Sequence, residues 1–423
     1  MVQIPMRMPG DEHELMKDFA VVCDFGGRLA GSREDERALD WALAKLSKIA
    51  SRTERIDIPF KGWRLIESGL SIAGETRRFA CNPLLRSGFT PECGISAEVI
   101  DLGRGTEEDF RRFSDLIPGR IVLVRHEYPF SATHIHRRRK YNMAVQGGAA
   151  AFLIANPLAN GGPLSGSCGA VDIRTALPAA YVDADSARAL SPGDGRPVKA
   201  TLLIRGEEVL SRAGICIADF AGISATRVVL SAHIDGHNMA ESALDNATGV
   251  ATALACARAL APDISRCNHS LRVCFFSAEE WALTGSAAYL DSLADGERNL
   301  LKLNINLDTV AGDDKLTALT SGFPALDRFV RETAEEAGME IATYLPLMSN
   351  SDHYNFARHN IPAFRLVAGF DRPDCRVRHI LSRQDTRDKV CPSEMQRALA
   401  ATYVFAFRAL NIQIAELERL AQR

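Results

Sequence analysis

From about residue 213 the chain alternates short apolar runs with helical stretches, and that alternation restricts it to a sheet covered by helices. The runs Arg227–Ala232 (RVVLSA), Leu271–Phe276 (LRVCFF), Leu303–Leu307 (LNINL) and Pro362–Val367 read as strands. Thr248–Leu260, Trp281–Leu293 and Ala325–Ala337 read as helices, and 392–421 as a closing helix with Pro392 near its first position. Earlier in the chain, residues 32–50 predict an amphipathic helix. Ser32 is placed to cap it, with Asp35 in the capping-box position, and Leu39, Leu43, Leu46 and Ala50 fall on one face. Residues 76–200 differ in character. Arg120–Val124, Ala149–Ile154 and Ala179–Val182 are short β-like runs separated by Gly, Pro and Ser, as in the loop Pro157–Ser167, and they predict a separate small β-rich domain.

Polar residues stand where the predicted strands of the second half end. His233 and Asp235 follow RVVLSA, Glu279 and Glu280 follow LRVCFF, and Asp308 follows LNINL. Asp245 opens DNATG ahead of a helix, and His353 lies in SDHYNF ahead of the last strand. In α/β sheets, ligands bind outside the carboxyl ends of the strands. Each piece alone is cheap: with 10 histidines and 53 acids in 423 residues, about one His-x-acid triplet arises by chance. A lone Asp before a helix is ordinarily an N-cap, and a lone loop histidine ordinarily has no role. The joint arrangement carries the signal, because two imidazoles and three carboxylates with a spare acid suit a two-zinc hydrolase. Residues two apart on an extended segment point the same way, so Asp235 can hold the far ring nitrogen of a metal-bound His233. Asp245 offers two oxygens and can bridge two metals. Glu279 and Glu280 diverge, so one can hold a metal while the other acts as general base toward water.

Bulk properties exclude other classes. With 50 basic and 53 acidic residues the net charge is −3, and no strong field draws the chain to nucleic acid or membrane. The basic run Arg137–Lys140 is too short and isolated to argue for nucleic acid, and it reads with His134 and His136 as a solvated basic surface or an interface patch. No apolar stretch approaches a membrane span, and the segment Met1–Phe19 lacks the pattern of a secretory leader, so a cytoplasmic location is expected. The ten cysteines lack C-x-x-C pairs and read as free thiols.

The segments AHID, SALDNATGVA, FFSAEEWALTGSAAYL, NINLD and SDHYNF resemble the co-catalytic zinc aminopeptidases and glutamate carboxypeptidases of metallopeptidase family twenty-eight, over about residues 213–395. The resemblance implies a three-layer, mixed-sheet α/β zinc exopeptidase fold. It implies one zinc on His233, Asp245 and Asp308 and another on Asp245, Glu280 and His353, with Glu279 as general base and Asp235 orienting His233. GRIVLV, GGAAAFLIANP and LPAAYVD resemble, more loosely, the protease-associated domain inserted in some members. The implied division is 1–75 and 201–423 for the peptidase and 76–200 for the insertion. One departure stands out: in RHILSRQDTRDKV, Asp385, Thr386 and Asp388 fit the family pattern, but His379 lies further upstream than expected and no Thr follows it.

The expected function is cleavage of a peptide or amide bond, foremost by an aminopeptidase, with two Zn2+ or other divalent ions as cofactors. A carboxypeptidase or N-acyl amino acid amidohydrolase is the alternative, favoured by the late arginines Arg365, Arg372, Arg376, Arg378 and Arg383, which suit a substrate carboxylate. A receptor-like binding protein and a single-zinc relative of glutaminyl cyclases are further readings, which the complete set of site residues argues against. The partner is a peptide or N-acyl amino acid, with a homodimer through the inserted domain left open.

Overall fold

The computed structural model describes residues 12–422, which form two compact units. One comprises the described residues up to Phe60, Arg212–Ile380 and the chain from Asp385 onward, and the other comprises Lys61–Ser211 with Leu381–Gln384. The divisions fall inside two long strands, β1 (Arg52–Ile72) and β2 (Lys199–Phe220), each of which runs from one unit into the other. This is why they differ from the divisions at 75 and 200 that composition suggests. No apolar run marks either division: the first half of β1 mixes exposed with half-buried residues, and β2 carries Arg205, Glu207, Glu208 and Arg212 just before or at its division.

In the first unit the strands after β2 are β3 (Arg227–His233), β4 (Ser270–Phe276), β5 (Leu301–Leu307), β6 (Leu316–Leu319), β7 (Ile341–Tyr344) and β8 (Ala363–Ala368). Their order is β7–β6–β8–β5–β3–β4–β2. Strands β4, β3, β5 and β8 are parallel, β2 is antiparallel to β4, and β6 is antiparallel to β8. The sheet is therefore mixed, as expected. The central strands are buried on both faces, which is why they read as continuous apolar runs instead of alternating ones.

Register places the functional ends. His233 sits opposite Phe276, and Leu307 sits opposite Leu366, so His233, Glu279 and Asp308 leave the sheet at its carboxyl edge. On one face, the helix Thr248–Leu260 is apolar almost all round and lies buried against the helices Glu12–Asp24 and Pro392–Asn411. Val229, Cys274, Phe276, Tyr289 and Phe356 form a buried cluster with Ile215 and Ile217.

Several boundaries differ from the sequence reading. The helix capped by Ser32 ends at Leu46 and stops short of Ala50, and Asp35 accepts from the Gly31 amide (2.9 Å) where a capping box would have it accept from Ser32. The predicted helix Trp281–Leu293 begins only at Thr284, because residues 278, 282 and 283 adopt positive φ in the turn before it. The closing helix breaks after Asn411 and resumes as Ile414–Arg419.

The second unit holds the parallel strands Ile95–Asp101, Ile121–Arg125, Ala151–Ala155 and Ala179–Val182, with Cys81–Pro83 antiparallel to the last of these. The basic run begins the helix Arg137–Gln146, which His136 caps through Nδ1 (3.2 Å from the Arg138 amide). Lys140 is not part of a solvated patch: it is buried and donates to the carbonyls of Arg104 and Arg125 and to Glu127.

All ten cysteines are free. Among the described residues no helix is long and apolar enough to cross a membrane. The reading of Met1–Phe19 falls largely on residues 1–11, which lie outside the described part.

Candidate metal centre

His233 closes β3 with its ring held at both nitrogens. Nδ1 lies 3.1 Å from the Asp235 carbonyl and 3.5 Å from Asp235 Oδ1, while Nε2 lies 3.0 Å from Asp245 Oδ1 and 3.6 Å from Asp308 Oδ1. Burial opposes charge on this imidazole, but the hydrogen bonds to Asp235, Asp245 and Asp308 outweigh it and raise its pKa well above the usual value. Groups drawn together around one proton can equally share a metal cation. Asp235 also holds the acid pair. Its Oδ1 accepts from the Glu279 amide (3.1 Å) and its Oδ2 from the Glu280 amide (3.2 Å), so one carboxylate fixes both the histidine and the two glutamates.

Asp245 belongs to an irregular turn, Ala243–Ala247, with a cis Asp245–Asn246 peptide bond, and it does not cap the helix that follows. Its position comes from two neighbours that sequence reasoning did not assign. Asp385 accepts from the Leu244 amide (2.7 Å) and the Asp245 amide (3.3 Å). Burial pushes the Asp385 carboxyl up to about 8. Asn246 donates to the Leu307 and His233 carbonyls and accepts from the Gly249 and Thr309 amides, which ties the ends of β3 and β5 together. A Cβ at Gly249 would lie 2.3 Å from Asn246 Oδ1 and 2.4 Å from the Leu307 carbonyl oxygen, so DNATG requires its glycine.

Glu279 and Glu280 stand in the tight turn after β4, both buried. Ala278 there has φ +60°, an uncommon conformation for a residue with a Cβ. The turn closes where Gly285 meets the Ser277 carbonyl, since a Cβ at Gly285 would lie 1.9 Å from that oxygen. Burial, reinforced by Glu280, Asp308 and Asp352, raises the Glu279 pKa well above the carboxylate range, against the opposing pull of His233. His237 lies with Nε2 2.7 Å from Glu280 Oε2. Trp281 packs on Phe60, with ring centroids 5.4 Å apart.

Asp308 leaves β5 beside a buried cation, Arg365, whose Nη2 lies 2.9 Å from Asp308 Oδ1. Burial would raise the Asp308 carboxyl, but Arg365 and His233 hold it well below the usual range. A polar ladder crosses the sheet here. Asn304 Nδ2 donates to Ser231 Oγ (2.8 Å), Ser231 Oγ to Asn306 Oδ1 (2.8 Å), and Asn306 Nδ2 to Ser351 Oγ (2.8 Å). It anchors the segment Ser351–His353, whose Asp352 also accepts from Ser286. His353 is fully buried, and apart from an approach to the Met348 main chain its ring nitrogens have no hydrogen-bond partner. Burial, with Arg365 nearby, pushes its pKa down to about 3, so the ring is neutral, the form that binds metals.

Among the described residues two groups of candidate metal donors result: His233 with Asp245 and Asp308, and His233 with Glu279 and Glu280, the donor atoms of each within 4.8 Å of one another. His353 belongs to neither group. The late arginines do not converge. Arg365 is engaged by Asp308, Arg372 by Asp313 (3.0 Å) and Arg376 by Glu394 and Cys391, while Arg378 and Arg383 are exposed.

Residues 216–406 match the model of peptidase family M28. Aminopeptidase YwaD of Bacillus subtilis is 25% identical over 354 residues, which cover 81% of this chain and 72% of that protein. Leucine aminopeptidase 2 of Arthroderma otae is 23% identical over 368 residues, covering 84% and 71%. Among solved structures, BSAP, a zinc aminopeptidase from Bacillus subtilis, shares the fold with a TM-score of 0.75 at 22% identity, over 97% of this chain and 98% of that one. Matching segment, shared fold and the site at the carboxyl edge of the sheet agree: residues 216–406 are similar to peptidase family M28, and the chain is a hydrolytic peptidase.

Proposed function

We propose that the protein is a two-zinc aminopeptidase. The observation that carries this reading is the convergence of His233 on Asp245 and Asp308 and on Glu279 and Glu280, with the buried, neutral and nearly unpartnered imidazole of His353 close by. Imidazole and carboxylate donors of this kind fit zinc. In this reading His233, Asp245 and Asp308 hold one ion, and Asp245, Glu280 and His353 the other. Zinc supplies Lewis acidity, making water nucleophilic near neutral pH and polarising the scissile carbonyl. Glu279 takes the proton of the attacking water on its carboxylate and delivers it to the departing amine. Asp235 keeps the Glu279 amide and the His233 ring in place while that proton moves. The named relatives are aminopeptidases, and the dispersal of the late arginines leaves the carboxypeptidase and N-acyl alternatives without their substrate clamp. We read the unit around Lys61–Ser211 as the protease-associated-like insertion, on the strength of its spaced strands.

The test is hydrolysis of a leucyl dipeptide, free and N-acetylated, with and without a chelator, by the protein and its Glu279→Gln variant. Chelator-sensitive cleavage of the free peptide alone is expected, with the variant slower by about 10³-fold or more at unchanged zinc content. Preference for the acetylated peptide, or an active variant, would overturn the reading.

A further inference from the structure

Arg365 is a buried cation beside the centre. It lies within β8, paired in register with Asn306, and is 1% exposed. A guanidinium so placed must find acceptors inside the protein, and it finds them on both sides of the site. Nη2 meets Asp308 Oδ1 at 2.9 Å, and Nε and Nη2 donate to the Asp308 carbonyl at 3.3 and 3.2 Å. On its other side Nη1 donates to the Asn350 carbonyl at 3.0 Å, three residues before His353. Asp308 Oδ1 also accepts from Thr309 Oγ1 at 3.0 Å while lying 3.6 Å from His233 Nε2. The oxygen that faces the histidine is thus the one fixed by the arginine and the threonine.

We propose that Arg365 is a positioning residue that fixes the metal-facing oxygen of Asp308 and the approach of His353 together, and that the planar fork, more than the charge, sets how tightly metal is held. This rests on the two-zinc reading above. A single point charge near Asp308 would repel an incoming cation and weaken binding. A fork engaging one side chain and two carbonyls instead removes the freedom of the carboxylate to turn away. The two effects have opposite signs, so a substitution tells them apart. Lysine keeps the buried charge, and with it the main condition for folding, but cannot reproduce the fork.

The experiment measures zinc affinity by competition with a chelator, and the visible spectrum of the cobalt-substituted protein, for wild type, Arg365→Lys and Arg365→Gln. Both variants are expected to hold metal at least about tenfold less tightly and to change the cobalt spectrum. Tighter binding in Arg365→Gln would make the residue a mere opposing charge and overturn the proposal. A lysine variant identical to wild type would do the same, as would a lower melting temperature with affinity and spectrum unchanged. Wild-type protein that takes up neither metal would instead remove the two-zinc reading itself.

Discussion

Asn246 makes four hydrogen bonds from one buried side chain, and they span the gap between the strand that ends in His233 and the strand that ends before Asp308. Its amide nitrogen faces two carbonyls and its amide oxygen faces two N–H groups, so neither atom type can be exchanged. Asn246→Asp probes this with almost no change of volume. The carboxylate keeps the bonds from Gly249 and Thr309 but points an anion at the His233 and Leu307 carbonyls. Unfolding in denaturant should show a loss of about 2–4 kcal/mol, and a midpoint equal to wild type would refute the role assigned here. At this scale the sequence is half legible. Asp245 stands out in DNATG because an acid at that position has chemistry to offer, whereas Asn246 and Gly249 look like ordinary helix-start residues. Their importance lies in distances to the ends of β3 and β5, which are close only after folding.

The helix Thr248–Leu260 presents the same contrast between local pattern and packing. Its bounds match the sequence expectation because small and apolar residues fill every turn. Thr248 uses its hydroxyl well, donating to the Leu244 carbonyl (2.8 Å) and accepting from the Val310 amide (3.3 Å). Thr252, one turn later, is fully buried and its hydroxyl has no partner. Thr252→Val replaces that hydroxyl by a methyl of similar shape, and it should raise stability by about 1 kcal/mol with peptidase activity unchanged. A destabilised variant in thermal melts would mean that the hydroxyl is satisfied after all. The elements whose burial is complete, such as β3 and β4, are readable as apolar runs. A strand with one wet face is not, as Arg52, Glu54 and Lys61 show by lying exposed along β1, and the four-residue strands β6, buried throughout, and β7 are too short for a pattern to show. The turn before Thr284 is also hidden, because positive φ at Ala278, Ala282 and Leu283 is imposed by the site and contradicts the helical preference of those residues.

Across the whole molecule buried titratable groups give stability opposite dependences on pH, and Asp35 and the histidines of the other unit show the two signs. In the unit holding the acid pair, burial pushes Asp35 up to about 8. The folded chain keeps that proton while the unfolded chain releases it near 3.8, so this group's contribution is full below about pH 4 and is lost as pH rises toward 8. The other unit contains His126, His134 and His136, the last two with ring centroids 5.7 Å apart. Burial, with Arg137 and Lys140 adding to it, lowers His126 well below 6.5, and burial with Arg137 and Arg138 does the same for His136. His134 falls to about 4 through burial and the charges of Lys140, Arg137 and Arg104, against the pull of Glu127. For these rings the unfolded chain binds protons first, so stability is intact above pH 6.5 and drains away as pH falls toward 4. Because His134 keeps some accessible surface, its share between pH 7 and pH 5 is on the order of 1 kcal/mol. The denaturant midpoint should therefore drop more between these two pH values in wild type than in a His134→Gln variant, which has no proton to gain. Equal drops in the two proteins would show that the ring is solvated in the folded state, and would place the acid sensitivity of this unit on His126 and His136 instead.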